Sequence, residues 1–68
     1  MTEIEYEICK CIKRYNQIYN NDPTSTDLSK MVYRTSSVVR YHISKLEKKG
    51  ILKKQKNKTI KLLVNNVE

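Results

Sequence analysis

The side chains of this chain that could do chemistry are mostly cations, and they are concentrated in its second half. Residues 35–68 contain nine lysines and arginines against two acids, whereas residues 1–34 contain five of each. The net charge of +7 at pH 7 therefore belongs to the second half alone. A charge distribution this uneven is typical of a surface that faces a polyanion, either a nucleic acid or an anionic membrane. The alternative is a lysine-rich surface that is merely solvated.

Catalysis and metal binding are disfavoured, because the residues that such sites need are missing. His42 is the single histidine, and the chain has neither a CxxC pair nor a glycine-rich phosphate loop. A four-ligand zinc site and a nucleophile–base pair therefore lack their members. Cys9 and Cys11 are two residues apart and cannot bridge each other on a helix. We expect Cys11 in the core, Cys9 at the flank of the apolar face, no enzyme activity, no metal and no cofactor.

The length of 68 residues leaves room for one small domain. Chains of this size bury only about 60% of their unfolded surface. We expect a single domain over residues 1–68, with an ordered part at about residues 2–64. No apolar run approaches the roughly 18 residues of a membrane span. The first residues are acidic rather than apolar, so the chain is expected to be cytoplasmic.

The first helix is predicted from a capping box and an apolar period. Thr2 and Glu5 form a T-x-x-E box, and apolar residues recur at spacings of three and four up to about residue 19. The members of this face are Ile4, Ile8, Cys11, Ile12, Tyr15, Ile18 and Tyr19. Residues 20–23, with the sequence Asn-Asn-Asp-Pro, end the helix.

Two further helices follow the same rules. Thr24 and Asp27 cap a second helix, whose apolar face is Leu28, Met31 and Val32. After a lapse in periodicity, Thr35 or Ser36 caps a third helix that ends at Gly50. Its inward positions are Val39, Ile43 and Leu46. His42 lies beside this face, and we expect a packed or hydrogen-bonded side chain there.

The remaining residues predict a β-hairpin. Residues 51–52 begin one arm, residues 59–64 form the other, and residues 56–58 make the tip. Ile60, Leu62 and Val64 share one side of the second arm because strand side chains alternate. Residues 65–68 are expected to form a frayed tail. The predicted fold class is mainly α with a small β-hairpin, that is, three helices and a two-stranded wing.

Two helices joined by a tight turn and followed by a basic hairpin make a helix-turn-helix with a wing. The stretch Leu28–Ile43, LSKMVYRTSSVVRYHI, resembles the helix-turn-helix of bacterial winged-helix repressors. Lys45–Leu52, KLEKKGIL, is similar to the end of their recognition helix and the start of their wing. Asp22–Leu28, DPTSTDL, is similar to the opening of the bracing helix in the amino-terminal domain of LexA repressors. The likeness covers about residues 4–64 and implies a winged helix-turn-helix that binds double-stranded DNA.

The sequence departs from this family pattern in three ways. Tyr33 stands in the turn where the family usually has glycine, which predicts an unusual backbone or a different aromatic packing there. The spacing between the helices is one residue shorter than in typical LexA proteins. The carboxy-terminal protease of LexA is absent, so self-cleavage is not expected.

The resemblance implies that the helix at about residues 36–49 lies in the major groove, while the wing at about 53–61 lies on the backbone or in the minor groove. Arg40 could donate two hydrogen bonds to guanine, and Val38 could pack against a thymine methyl group. Thr35 could hold a phosphate with the amides of the helix start, or it could serve only as a cap. For the wing lysines the alternative is protection of an exposed strand edge. The expected DNA-binding residues are Thr35, Ser36, Ser37, Val38, Arg40, Tyr41, Ser44, Lys45, Lys48, Lys53, Lys54, Lys56 and Lys58.

The expected function is that of a small, repressor-like transcriptional regulator. The alternative is an accessory or interaction module of a replication or mobile-element protein, which binds nucleic acid without sequence specificity (single strands included) or binds a protein partner. RNA binding is disfavoured, because the sequence lacks the aromatic sheet surface expected of proteins that read single-stranded RNA. A membrane peptide is disfavoured because the most amphipathic helix is also the acidic one.

The expected partner is double-stranded DNA. We expect a monomer, or alternatively a weak dimer through the first helix or a pair assembled on a two-fold DNA site. No membrane and no small-molecule effector are expected, and the protein should associate with the nucleoid. The richness in Lys, Asn, Ile and Tyr suggests an AT-rich genome, which would suit a bacterial, archaeal or mobile-element regulator.

Overall fold

Three helices and a two-stranded antiparallel sheet make up the computed structural model, which describes residues 1–64. In chain order the elements are α1 (Glu3–Tyr19), α2 (Ser25–Val32), α3 (Ser36–Lys48), β1 (Leu52–Lys54) and β2 (Ile60–Leu62). This confirms the predicted fold class. The tail expected at residues 65–68 lies outside the described residues. No helix within residues 1–64 is long and apolar enough to cross a membrane.

The helix starts are set by the caps that the sequence predicts. Thr2 and Glu5 form a reciprocal capping box on α1, and Thr24 and Asp27 form one on α2. α3 begins after Thr35, whose hydroxyl accepts a hydrogen bond from a backbone amide of the first turn. These side chains satisfy amides that have no partner inside the helix, and each cap stabilises its helix by about 1 kcal/mol.

The core is one cluster of ten buried apolar side chains drawn from all five elements. Burying a side chain of this kind contributes about 1.5–3 kcal/mol relative to leaving it in water. The predicted inward face of α3 is confirmed, since all three of its residues are in the cluster. The members are Ile8, Cys9, Ile12, Leu28, Val32, Val39, Ile43, Leu46, Leu52 and Ile60.

The predicted apolar face of α1 is wrong in two places. Cys9 is fully buried and Cys11 only half-buried, the reverse of the expectation. α1 packs against α3 and β2 as well as α2, so its covered side is rotated towards Glu5 and Cys9. Ile18 and Tyr19 are 64% and 62% exposed rather than buried. The last turn of α1 borders Lys30 and Met31 of α2 in a depression that leaves Ile18 and Tyr19 exposed.

The wing is shorter than predicted and is joined to the body of the protein. β1 and β2 pair antiparallel with Leu52 opposite Leu62 and Lys54 opposite Ile60. Residues 51, 59, 63 and 64 lie outside the two strands.

The loop between α1 and α2 fixes the base of the wing. The Ile60 amide donates to the Pro23 carbonyl at 2.7 Å, and Thr59 forms an isolated antiparallel bridge with Thr24. The chain that leads into α2 therefore continues the sheet beyond β2. On the other side of the loop, Nε2 of Gln55 donates to a carboxylate oxygen of Asp22 at 2.7 Å. The wing consequently has a defined position relative to the helix pair.

Candidate nucleic-acid interface

One flank of α3 forms a concave surface together with the wing. Arg40, Ser44 and Glu47 follow one another along this flank at helical spacing. They line a depression of about 150 Å³ with Lys54 of the wing and Ser25 at the start of α2. The structure therefore brings two predicted binding residues of α3 next to one of the wing. Glu47 was not among the predicted site residues and places a carboxylate in the same depression.

The outward ridge of α3 carries an aromatic ring and two lysines. Tyr41 is exposed, and Nζ of Lys45 lies 5.0 Å from the centroid of its ring, within the range of a cation–π contact. The ring of His42 meets that of Tyr41 edge-on at 5.2 Å. The ring of Tyr41 thus contacts residues of its own helix, and Lys45 is held near the surface of the ridge. Lys48 is exposed one turn further on.

The amino-terminal turn of α3 presents its predicted residues unequally. Ser37 and Val38 are exposed, whereas Ser36 is half-buried and is the least accessible of the expected DNA-binding residues. Thr35 is exposed, and its hydroxyl accepts from the Val38 amide at 3.4 Å. Its role as a cap is confirmed. A phosphate contact by Thr35 stays a prediction.

The wing lysines are free to meet an external anion. Lys53, Lys54, Lys56 and Lys58 are all exposed, and within residues 1–64 none of them forms an ion pair. The tip is a three-residue loop, because the Gln55 amide donates to the Thr59 carbonyl at 2.9 Å. Its last residue, Lys58, has φ 68°, a left-handed conformation in which this kind of loop usually has glycine.

Tyr33 has the same left-handed backbone at the turn between α2 and α3. Its φ is 56° and its ψ is 42°, and its amide closes α2 by donating to the Ser29 carbonyl. The turn therefore has the conformation that glycine adopts freely, and a tyrosine there costs about 1–2 kcal/mol. The ring is 92% exposed, so no aromatic packing offsets this cost. Tyr33, which stands where the family usually has glycine, is thus an exposed and strained residue.

A buried carboxylate holds the opposite flank of α3. Glu5 is 1% exposed, and its Oε2 lies 2.9 Å from Nδ1 of His42, while Oε1 lies 3.9 Å from Nζ of Lys49. The hydrogen bond from His42 is the main cause that holds the pKa of Glu5 below its ordinary value, against the raising effect of burial. The prediction that His42 is hydrogen-bonded is confirmed. Sequence reasoning treated Glu5 only as a cap, although His42 and Lys49, seven residues apart, share a flank of α3.

The two cysteines lie away from this surface. Burial raises the pKa of the Cys9 thiol to about 11, and burial also raises the pKa of Cys11. Thiols with raised pKa values stay protonated and are poor nucleophiles. The described part of the chain contains no group of three or more His, Cys, Asp or Glu side chains that could hold a metal ion.

The chain was compared with known protein families. The family described as winged helix-turn-helix DNA-binding matches residues 1–53. The matched range includes all three helices and the first two residues of β1, and it stops before the tip of the wing. No curated protein sequence matches the chain.

Proposed function

The chain belongs to the winged helix-turn-helix DNA-binding family and binds DNA, and from this premise we propose that it is a small, repressor-like transcriptional regulator of double-stranded DNA. α3 enters the major groove, and the wing lies on the adjacent backbone or in the minor groove. The observation that carries the proposal is the depression in which Arg40 and Ser44 of α3 meet Lys54 of the wing. One continuous surface can then contact a groove and its bordering phosphates together.

The dimensions of α3 suit this placement. Its 13 residues give a helix about 20 Å long. The major groove is about 12 Å wide and admits a single helix, whereas the minor groove, at about 6 Å, does not. The wing tip, by contrast, is narrow and carries exposed lysines, which suits a phosphate backbone or the minor groove.

The exposed residues of the surface divide into two roles. Arg40 can form two parallel hydrogen bonds with guanine, and Val38 can contact a thymine methyl group; these contacts give sequence preference. Lys45, Lys48 and the wing lysines contact phosphates and give affinity without preference. If about five cations engage phosphates, log K falls with log[salt] at a slope of about −4 to −5.

Selection of a preferred site tests the regulator against a non-specific accessory role. The protein is incubated with a pool of random duplexes, and bound DNA is recovered and sequenced over several rounds. A regulator enriches a shared short motif, and Arg40→Ala loses preference at a G·C position of that motif. A pool that stays random while binding remains strong would contradict the regulator and favour an accessory that binds nucleic acid without specificity.

Weak self-association through α1 is part of the same proposal. Residues 1–34 have no net charge, so this half of the molecule can approach a second copy without the repulsion of the basic half. Ile18 and Tyr19 are exposed there and lie beside Tyr15 and Met31. A two-fold pair on DNA would use such a patch.

Sedimentation of the protein on duplexes with one and two half-sites tests this self-association. Ile18→Glu should abolish cooperative filling of the second half-site. Undiminished cooperativity would exclude the patch.

A further inference from the structure

The side chain of Tyr33 contributes little to the packing of the protein. Among the exposed large hydrophobic side chains of residues 1–64 it has the highest exposure, 92%, and it has no ring or cation–π partner there. Its backbone lies at φ 56° and ψ 42°, where glycine would be free of strain. Strain that brings no packing in return is found most often at residues that bind something.

The place of Tyr33 in the chain indicates what it meets. It lies two residues before Thr35, the cap of α3, and is therefore within about 7 Å of the helix start. Arg34, between them, is also exposed. If the first turn of α3 sits in a groove about 12 Å wide, a phosphate strand passes within reach of this turn.

A second strained residue follows the same pattern. The positive φ values of residues 1–64, apart from glycine, belong to Asn20, Tyr33 and Lys58. Asparagine tolerates this conformation well, whereas tyrosine and lysine do not. Lys58 is at the tip of the wing, and Tyr33 is at the entrance to α3. Both positions where glycine would relieve strain thus carry a side chain able to contact DNA, at the two ends of the proposed interface.

We infer that Tyr33 and Arg34 bind the sugar–phosphate backbone of duplex DNA at the edge of the groove that α3 occupies. The inference rests on the proposed function and extends its interface to the turn between α2 and α3. The phenol hydroxyl donates to a phosphate oxygen, the ring packs against deoxyribose, and the guanidinium pairs with a phosphate. Because the contact is with the backbone, it raises the affinity for all sequences alike.

Tyr33→Gly separates binding from stability, because the two change in opposite directions. Relief of strain should raise the melting temperature by about 4 °C. The affinity for duplex DNA should fall about five- to tenfold, the usual effect of losing one hydrogen bond and its packing. The salt slope should not change, since tyrosine is uncharged.

Two further variants and one control complete the experiment. Tyr33→Phe should lose only the part of the affinity that belongs to the hydroxyl. Arg34→Gln should reduce the magnitude of the salt slope by about one. Asn20→Gly changes another exposed residue with a left-handed backbone, one at the end of α1, and should leave the affinity unchanged.

The outcomes distinguish the inference from the function on which it rests. A wild-type chain that binds duplex DNA while Tyr33→Gly binds equally well would show that Tyr33 makes no contact. A lowered melting temperature for Tyr33→Gly would show a structural role and would also overturn the inference. A wild-type chain that binds no duplex would overturn the proposed function and the inference together.

Discussion

Nδ1 of His42 lies 2.9 Å from Oε2 of Glu5, and this contact ties the first turn of α1 to the middle of α3. The other carboxylate oxygen accepts from the Thr2 amide at 3.2 Å, so the capping box of α1 and the contact with α3 share one side chain. No buried side-chain polar atom in residues 1–64 is left without a partner. α3 is thus held by a polar contact on one flank and leaves the other flank open beside the wing.

Acid should weaken the fold through Glu5. Its pKa in the folded protein is below the ordinary 4.5, so its contribution to stability is complete above about pH 4.5 and is lost as the pH falls through the folded value. Glu5→Gln should lower the free energy of unfolding by about 1–3 kcal/mol at pH 7. As the pH falls through that folded value the difference should shrink, because the wild-type carboxyl then carries a proton as well.

Urea unfolding over a series of pH values from 7 downwards measures this effect. Asp27 also has a lowered pKa, caused first by its hydrogen bond with the Thr24 backbone, and its effect has the same sign. Asp27→Asn is therefore the matched control. A difference between wild type and Glu5→Gln that stays the same over the whole series, down to the pH at which the fold is lost, would exclude ionised Glu5 as the stabilising group.

Truncating a buried apolar side chain should cost much more stability than truncating an exposed one. Leu46→Ala removes a fully buried side chain and should cost about 2–5 kcal/mol, a large share of the stability of a domain this small. Ile18→Ala alters a side chain that is 64% exposed and should change the stability by less than about 0.5 kcal/mol. Thermal unfolding of both variants is the measurement. Equal losses would mean that the last turn of α1 is covered.

The contrast between Leu46 and Ile18 shows what periodicity predicts well. Helix starts depend on neighbouring residues. The caps at Thr2 and Thr24 were predicted from local sequence, and the third was narrowed to Thr35 or Ser36, of which Thr35 is the cap. The inward face of α3 was also predicted from its period, and Val39, Ile43 and Leu46 are all buried. α1 contacts three elements, so its buried arc depends on where α3 and the wing dock. The residue pattern of α1 alone does not show where those elements pack, which is why the burial of Cys9 was predicted wrongly.

The contacts that assemble the interface were the least predictable from sequence. The bond between Glu5 and His42 joins residues 37 apart, and that between Asp22 and Gln55 joins residues 33 apart. Neither pair has a local signature, since each needs the whole fold to bring its members together. The exposed lysines of the wing, by contrast, were identified from charge alone, because a cation without an acidic neighbour has little reason to be buried.

The two thiols should react at very different rates in the folded protein. Cys9 is fully buried and its pKa is raised to about 11, whereas Cys11 is half-buried. At pH 8 a maleimide or iodoacetamide reagent should modify Cys11 first and Cys9 only on unfolding. Mass spectrometry of a time course, with a sample in denaturant as the control, measures the order. Faster modification of Cys9 would contradict its burial.

Charge reversal in the wing should weaken DNA binding without changing sequence preference. The double variant Lys54→Glu, Lys56→Glu should lose affinity for all duplexes alike, and its salt slope should decrease in magnitude by about two. Lys10→Glu is the control for charge, because Lys10 is exposed on α1, outside both α3 and the wing. Unchanged affinity and slope in the double variant would remove the wing from the interface.

The central claim is that α3 and the wing form a surface for double-stranded DNA. Fluorescence anisotropy of a labelled mixed-sequence 20-mer, as duplex and as single strand over a salt series, tests it most directly. We predict tighter binding to the duplex, with a slope of about −4 to −5 in log K against log[salt]. Equal or tighter binding to the single strand, or no binding to the duplex at low salt, would contradict the claim.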